Sequence, residues 1–449
     1  MSFWLRMTSR VVFFFLVVSL ISFNTADPPP GIKVRITENA KSLKELGLMY
    51  LNGLVTKQFS IENLLIKSVT LTSLQVDPAQ VDFRFLEKIG LQFEIRDLKF
   101  SLELQRELNM PFFTQFNIDR GTTIITGEGV SAMIIVKINQ NPKGHLNVEI
   151  PSADCTIRAD TIRTTSTGFL GNIFDVLTPL YKYFFNNKIC PALEPMINNK
   201  LRDLPMMKTL HEGRQLDLDY SLSSDIAVTS KSLDISFKGL MSVHGQAVDT
   251  DSIRPGKEPV FTETKQMVYV GISELFFNGA AMSIYKSGPF EVEVPKLKGL
   301  KVLMNSALEA VGITQGLLTV ELTEAPIIKI KKDNVNADVN FKAQSKGQQE
   351  SLLSCKLGMN VKFEESRLIP VIKMPSCQAK TEKLKGKIVV GVAKTILYFV
   401  DKLFVEGIPI PLPIDLSFID AKIQFEEGYL MVGGSLKFNP LQSSSNTGR

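Results

Sequence analysis

Histidine is scarce in this chain of 449 residues, which has only His145, His211 and His244. They are scattered, show no metal-ligand spacing and read as surface residues. A His-rich metal centre or a His-relay enzyme is therefore not expected. Tryptophan occurs once, at Trp4. No Gly-x-Ser-x-Gly elbow exists, and Gly127-Glu128-Gly129 lacks the third glycine of a dinucleotide-binding turn. The carboxylates offer no pair that stands out from the solvated faces of amphipathic strands. Cysteine is limited to four residues with no C-x-x-C spacing, which speaks against zinc, and no Asn-x-Ser/Thr sequon is present. These absences leave no catalytic constellation, metal site or cofactor site to assign.

Long hydrophobic runs are also missing, apart from Val11–Phe23, which follows Arg6 and Arg10 and precedes Ala26. A basic segment, a short apolar core and a small residue at the cut describe a secretory signal peptide over residues 1–26. An uncleaved signal anchor is the alternative, although the run is short for a membrane span. A secreted, extracellular protein is expected. Four cysteines behind such a segment point to disulfides. Of the three connectivities, local pairing of Cys155 with Cys190 and of Cys355 with Cys377 is favoured. A hairpin turning at Glu365-Ser366-Arg367 would set the latter two opposite each other. Charge is balanced: Asp27–Leu240 holds 24 basic and 24 acidic residues, and Met241–Arg449 holds 25 and 22. No nucleic-acid footprint follows from that.

What is present is amphipathic patterning. Ile32–Ile36 alternates as a strand, and Thr37 caps a helical stretch reaching about Lys57, with Ala40, Leu43, Gly47, Tyr50 and Leu54 at helical spacing. The period then becomes two, through Val81/Phe83/Phe85, Leu91/Phe93/Ile95 and, after a one-residue shift, Leu98/Phe100/Leu102/Leu104. Phe169, Ile173, Leu177, Leu180 and Phe184 stripe a helix that is apolar over much of its girth, and Pro179, Pro191 and Pro195 predict kinks or a break. Residues 244–266, with Pro255, Gly256 and Pro259, read as a linker. The order then repeats: a helix over Glu274–Lys286, further alternating strands, an apolar helix over Lys385–Glu406 and closing strands. Domains over 27–243 and 267–449 in tandem are expected. Helices so apolar must be buried, either as a dry core or around a groove that an apolar ligand fills. Sequence pattern alone favours the dry core. The clusters Lys329-Ile330-Lys331-Lys332 and Lys380/Lys383/Lys385/Lys387 read as a strand end and a helix start, with contact to anionic head groups as the sharper alternative.

Four segments resemble the family of bactericidal/permeability-increasing protein, lipopolysaccharide-binding protein and the plasma lipid-transfer proteins. They are Pro30–Thr37; Cys155 and Cys190 with Leu204-Pro205; Met267–Asn278; and Gly407–Pro411. The resemblance runs in order over nearly the whole chain after the signal peptide. It implies an α+β fold: an elongated tandem pseudo-repeat of two antiparallel β-barrels, each closed by helices, joined by a central sheet. It implies one apolar pocket per domain for phospholipid acyl chains. Crossed with the apolar stripes, the N-terminal pocket is expected to use Leu43, Leu46, Tyr50, Leu54, Phe169, Ile173, Leu177, Leu180 and Phe184. The C-terminal pocket is expected to use Phe276, Phe277, Ile388, Val392, Ile396, Phe399 and Leu403. The expected partner is a phospholipid or other amphipathic lipid, with an anionic or bacterial membrane surface as the alternative. No nucleic acid is expected, and the oligomeric state stays open. Two departures matter. Ser101–Phe113, at the expected barrel tip, sets Arg106 against Glu103 and Glu107, which removes the electrostatic term for a polyanionic endotoxin. Leu441–Arg449 is polar, unlike the amphipathic terminal helix of the cholesteryl ester transfer member. Carriage of a phospholipid is therefore the leading expectation, an innate-immune binder of bacterial lipopolysaccharide or membranes the second, and a dry structural barrel the third.

Overall fold

Two of the apolar motifs find each other. The computed structural model describes residues 28–60, 66–109, 117–168, 180–202, 204, 206–211, 216–294, 316–364, 366–373, 376–379, 407–410 and 416–438. In it, strand Ile32–Thr37 pairs antiparallel with Val268–Ser273, setting Ile32 opposite Ile272, Val34 opposite Val270 and Ile36 opposite Val268. Together they form the middle of a six-stranded sheet that runs 227–228, 232–237, 32–37, 268–273, 429–438, 416–426. Strands far apart in the chain thus share one sheet, which joins the two halves. Both faces of Val268–Ser273 are covered: all six residues are buried. Val268, Val270 and Ile272 belong to the core of the C-terminal half, while Tyr269 packs with Phe261 and Met431 on the opposite face. Phe261 lies within the expected linker. That segment carries little regular structure, yet it packs closely: a Cβ at Gly271 would come within 2.3 Å of Pro259. Arg35 fastens it further, pairing with Asp234 through two contacts of 2.7 Å and donating to the Phe261 carbonyl at 2.7 Å.

Each half contributes a curled antiparallel half-barrel. The N-terminal sheet has seven strands, built on the long strands Gly90–Asn109 and Asn117–Gln140; the C-terminal sheet has eight, built on Asn334–Ser345 and Ser351–Glu364. The shift of phase after Ile95 is a β-bulge: pairing slips between Ile95 and Leu98, at Asp97 with φ +50°. The extra residue restores Leu98, Phe100, Leu102 and Leu104 to the core face, and all four are buried. The C-terminal hairpin turns at Ser366. Its register alone would set Ser376 opposite Cys355. Pairing slips by one residue between Ile372 and Ser376, so Cys377 faces Cys355 instead, and the disulfide forms with a Cα separation of 4.0 Å. Cys155 is bonded to Cys190, the other favoured pair.

Four helices cover the sheets: α1 (Ser42–Asn52), α2 (Leu180–Phe184), α3 (Cys190–Arg202) and α4 (Glu274–Ser287). The break foreseen from the prolines is a π-turn, Phe185–Ile189, between α2 and α3. Pro191 has no N–H for the carbonyl of residue 187 and its ring crowds it, so the ladder there must widen. The widened turn keeps Phe184, Phe185, Ile189 and Cys190 all buried. Residues 1–26 and the expected helix over Lys385–Glu406 lie outside the described residues. Among the described residues no helix is long and apolar enough to cross a membrane.

Candidate functional site

The N-terminal half is not packed solid. Helices α1 and α3 cross over the curled sheet at its junction with the central sheet, and a cavity of about 230 Å³ lies between them. The space is about 1460 Å³ when counted out to solvent. An engineered apolar cavity of about 150 Å³ already binds benzene, so this one has room for a larger apolar body. Its walls come from α1 (Leu43, Leu46, Tyr50), α3 (Leu193, Ile197, Leu201), sheet strands (Phe93, Val136, Val148) and the central sheet (Val34, Ile235, Val268, Leu436). Val268 and Leu436 come from the C-terminal half, so the pocket needs both halves. The Tyr50 hydroxyl is the only polar side-chain group in the lining. Such a wall offers no hydrogen-bond code and selects its occupant by apolar surface. A second void of about 20 Å³ lies beside the Cys155–Cys190 bond and shares Leu51, Ile95 and Ile134 with the first.

The cavity's edge is held by a polar clasp. Val148 donates its N–H to Asn198 Oδ1 at 2.9 Å, and Asn198 Nδ2 donates back to the Val148 carbonyl at 2.8 Å. Ile150 donates its N–H to Glu194 Oε2 at 2.9 Å. Two α3 side chains one turn apart thus substitute for a missing neighbouring strand and seal an edge that would otherwise expose unpaired backbone groups. The same device recurs on α4, where Asn278 brackets the N–H and carbonyl of Ile328 at 2.8 and 3.2 Å and Glu274 accepts from the Ile330 N–H at 2.8 Å. Glu274 and Asn278 are buried, whereas Glu194 and Asn198 are only half-buried.

Of the residues expected to line the N-terminal pocket, Leu43, Leu46 and Tyr50 do so. Leu54 is fully buried in the core beside it, and Leu180 packs against that core from α2. Phe184 belongs to an aromatic cluster with Phe59, Phe185, Phe100 and Tyr181 that ties α2 to the sheet. Phe276 and Phe277 touch edge to face, 5.2 Å apart, inside the C-terminal core. Phe169, Ile173, Leu177, Ile388, Val392, Ile396, Phe399 and Leu403 lie outside the described residues. Sequence reasoning missed the lining from α3 and from the sheets. The period-two signal was visible, but lining and core residues obey the same alternation.

Polar chemistry lies away from the cavity. The histidines are not all isolated surface residues: His244 Nδ1 lies 2.6 Å from Asp217 Oδ2, and Thr209 donates to Asp217 Oδ1 at 2.7 Å. Burial pushes the Asp217 carboxyl up, but the Thr209 and His244 hydrogen bonds and the His244 charge outweigh it and hold the pKa below its ordinary value. The buried Tyr220 phenol donates to the Pro409 carbonyl at 2.6 Å, and burial pushes its pKa well above normal. Arg106, read from sequence as a tip charge, is buried and donates to the Thr123 hydroxyl and the Thr167 carbonyl. Among the described residues no cluster of three or more His, Cys, Asp or Glu is placed to hold a metal ion.

Comparison with known proteins agrees with this geometry. Residues 212–438 match the model of the LBP/BPI/CETP family C-terminal domain. Human phospholipid transfer protein is 24% identical over 462 residues, covering 91% of this chain and 90% of that protein. Human BPI fold-containing family C protein is 22% identical, covering 94% and 92%. Bovine lipopolysaccharide-binding protein is 20% identical, covering 71% and 73%. The crystal structure of a lipopolysaccharide-binding protein superposes with a TM-score of 0.56 at 16% identity, covering 91% of this chain and 99% of that one. This last likeness is one of fold.

Proposed function

The chain belongs to the LBP/BPI/CETP family, and on that premise we propose that it is a secreted lipid carrier whose apolar pockets take up phospholipid acyl chains. The observation that carries the reading is the open cavity of about 230 Å³ whose lining has a single polar side-chain group. Its mechanism is burial. Each methylene that leaves water for the cavity contributes roughly 0.8 kcal/mol, so a few carbons beyond the mouth hold the ligand without any residue doing chemistry. Tyr50 is the one hydroxyl within reach of an ester or head group. The family relatives include proteins named for phospholipid transfer and for lipopolysaccharide binding. The neutral N-terminal half and the burial of Arg106 favour the phospholipid over a polyanionic ligand. In this reading 27–243 and 267–449 hold one lipid each, and 244–266 connects them.

The test is purification of the secreted protein without detergent, solvent extraction and mass spectrometry of the extract. About two phospholipids per chain are expected from one filled pocket in each half. A lipid-free extract from folded protein would refute carriage and shift the weight to surface recognition.

A further inference from the structure

The helical segment 180–202 has two unlike sides. One side belongs to the cavity: Leu193, Ile197 and Leu201 line it. The other carries Lys182, Lys188, Lys200 and Arg202, against a single acid, Glu194. Lys182, Lys200 and Arg202 are exposed and Lys188 is half-exposed. Glu194 is already engaged with the Ile150 N–H. None of the four cations forms an ion pair among the described residues; Arg202 reaches only Asn199, on its own helix. On the outer face of the sheet, by contrast, Lys44 and Arg96 share Asp82, and Arg84 pairs with Glu94. The N-terminal half is neutral overall, so an excess of three positive charges on this one segment is a segregation of charge. Among these cations stands Tyr183, 52% exposed. An exposed aromatic among basic side chains suits an interface, with the ring at head-group depth and the amines reaching lipid phosphates.

We propose that the outer surface of 180–202 docks on an anionic phospholipid bilayer and so brings the cavity beneath it to the membrane. Charge complementarity selects the occupant. Four cations free of ion pairs meet a continuous negative surface, and each contributes independently within a Debye length. A cavity with so little polar lining also has nothing to gain from docking on a polar protein partner. The proposal takes its purpose from the carriage reading, but the docking surface stands or falls separately.

The test is co-sedimentation of the full chain with phosphatidylcholine vesicles, with and without phosphatidylserine. The variants are K182Q/K188Q, K200Q/R202Q and, as a control in the other half, K331Q/K332Q. Wild type is expected to bind only the vesicles containing phosphatidylserine and to be released at high salt. Each helix variant is expected to lose about 25-fold in partitioning, about fivefold per charge removed, and the control is expected to bind like wild type. All these side chains are at least half-exposed, and unchanged circular dichroism and extractable lipid show that the variants are folded and loaded. Binding of the helix variants at wild-type strength, equal loss in the control, or salt-resistant binding to neutral vesicles would each overturn the proposal. So would a preference for lipopolysaccharide over phosphatidylserine vesicles of equal charge density. Lipid-free protein that still docks through 180–202 would remove the carriage reading and leave the docking surface standing.

Discussion

Replacing Asn198 by alanine tests the clasp on α3. The carboxamide accepts from the Val148 N–H at 2.9 Å and donates to the Val148 carbonyl at 2.8 Å. Val148 is only 5% exposed, so both backbone groups lose their partners in a place that water enters poorly. Two hydrogen bonds at a net 0.5–1.5 kcal/mol each put the loss at about 2 kcal/mol. The strand Leu146–Glu149 is short and has a single sheet neighbour, strand Asn117–Gln140. The loss should therefore act on local opening rather than spread over the chain. Hydrogen exchange read by mass spectrometry is the assay, and the Val148 amide in N198A should exchange about 30-fold faster. N198D should not rescue it, since the carboxylate still accepts from the N–H but sets an oxygen against the carbonyl. N278A is the internal comparison. Asn278 also donates to the Arg254 carbonyl and is 5% exposed, so its loss should be larger. Wild-type exchange at Val148 in N198A would refute the clasp and the edge-sealing argument built on it.

Two further outcomes follow from the same geometry. Leu46→Trp or Ile197→Trp places a ring in the cavity, where open space accepts it without the strain of an overpacked core. Extractable lipid per chain should fall while far-ultraviolet circular dichroism stays unchanged; undiminished lipid would move the binding site elsewhere. Asp217 has a folded-state pKa below its ordinary value near 3.8, so its contribution to stability is present above that value and is lost as pH falls through the lower folded-state pKa. Asp217→Asn should flatten the acid limb of a urea-midpoint profile below about pH 4 and leave its slope near neutrality unchanged; an unaltered acid limb would refute the role given to the Thr209–Asp217–His244 chain.

Much of the fold was legible because local periodicity and burial agree. The strand from Ile32, the bulge after Ile95, the helix at Glu274 and both cysteine pairs were readable from alternation, phase and spacing. The candidate site was legible only where it lies on an amphipathic helix: Leu43, Leu46 and Tyr50 were found, while Val148 and Leu436 were not. Phe184 and Leu54 obey the same stripe yet pack beside the pocket, since a stripe reports which face is buried and not what fills the space opposite. Glu194 and Asn198 passed as ordinary polar residues, because a side chain that replaces a strand has no periodic signature.

By itself, then, the sequence determined the kinds of elements, their order, the tandem plan and the apolar faces, all of which depend on neighbours within a few residues. Only the tertiary structure decided that Ile32–Thr37 pairs with Val268–Ser273, that 244–266 packs on the central sheet, and that an apolar interior holds a cavity instead of a dry core. Those outcomes depend on how surfaces distant in the chain meet, and on whether the side chains brought together fill the space between them.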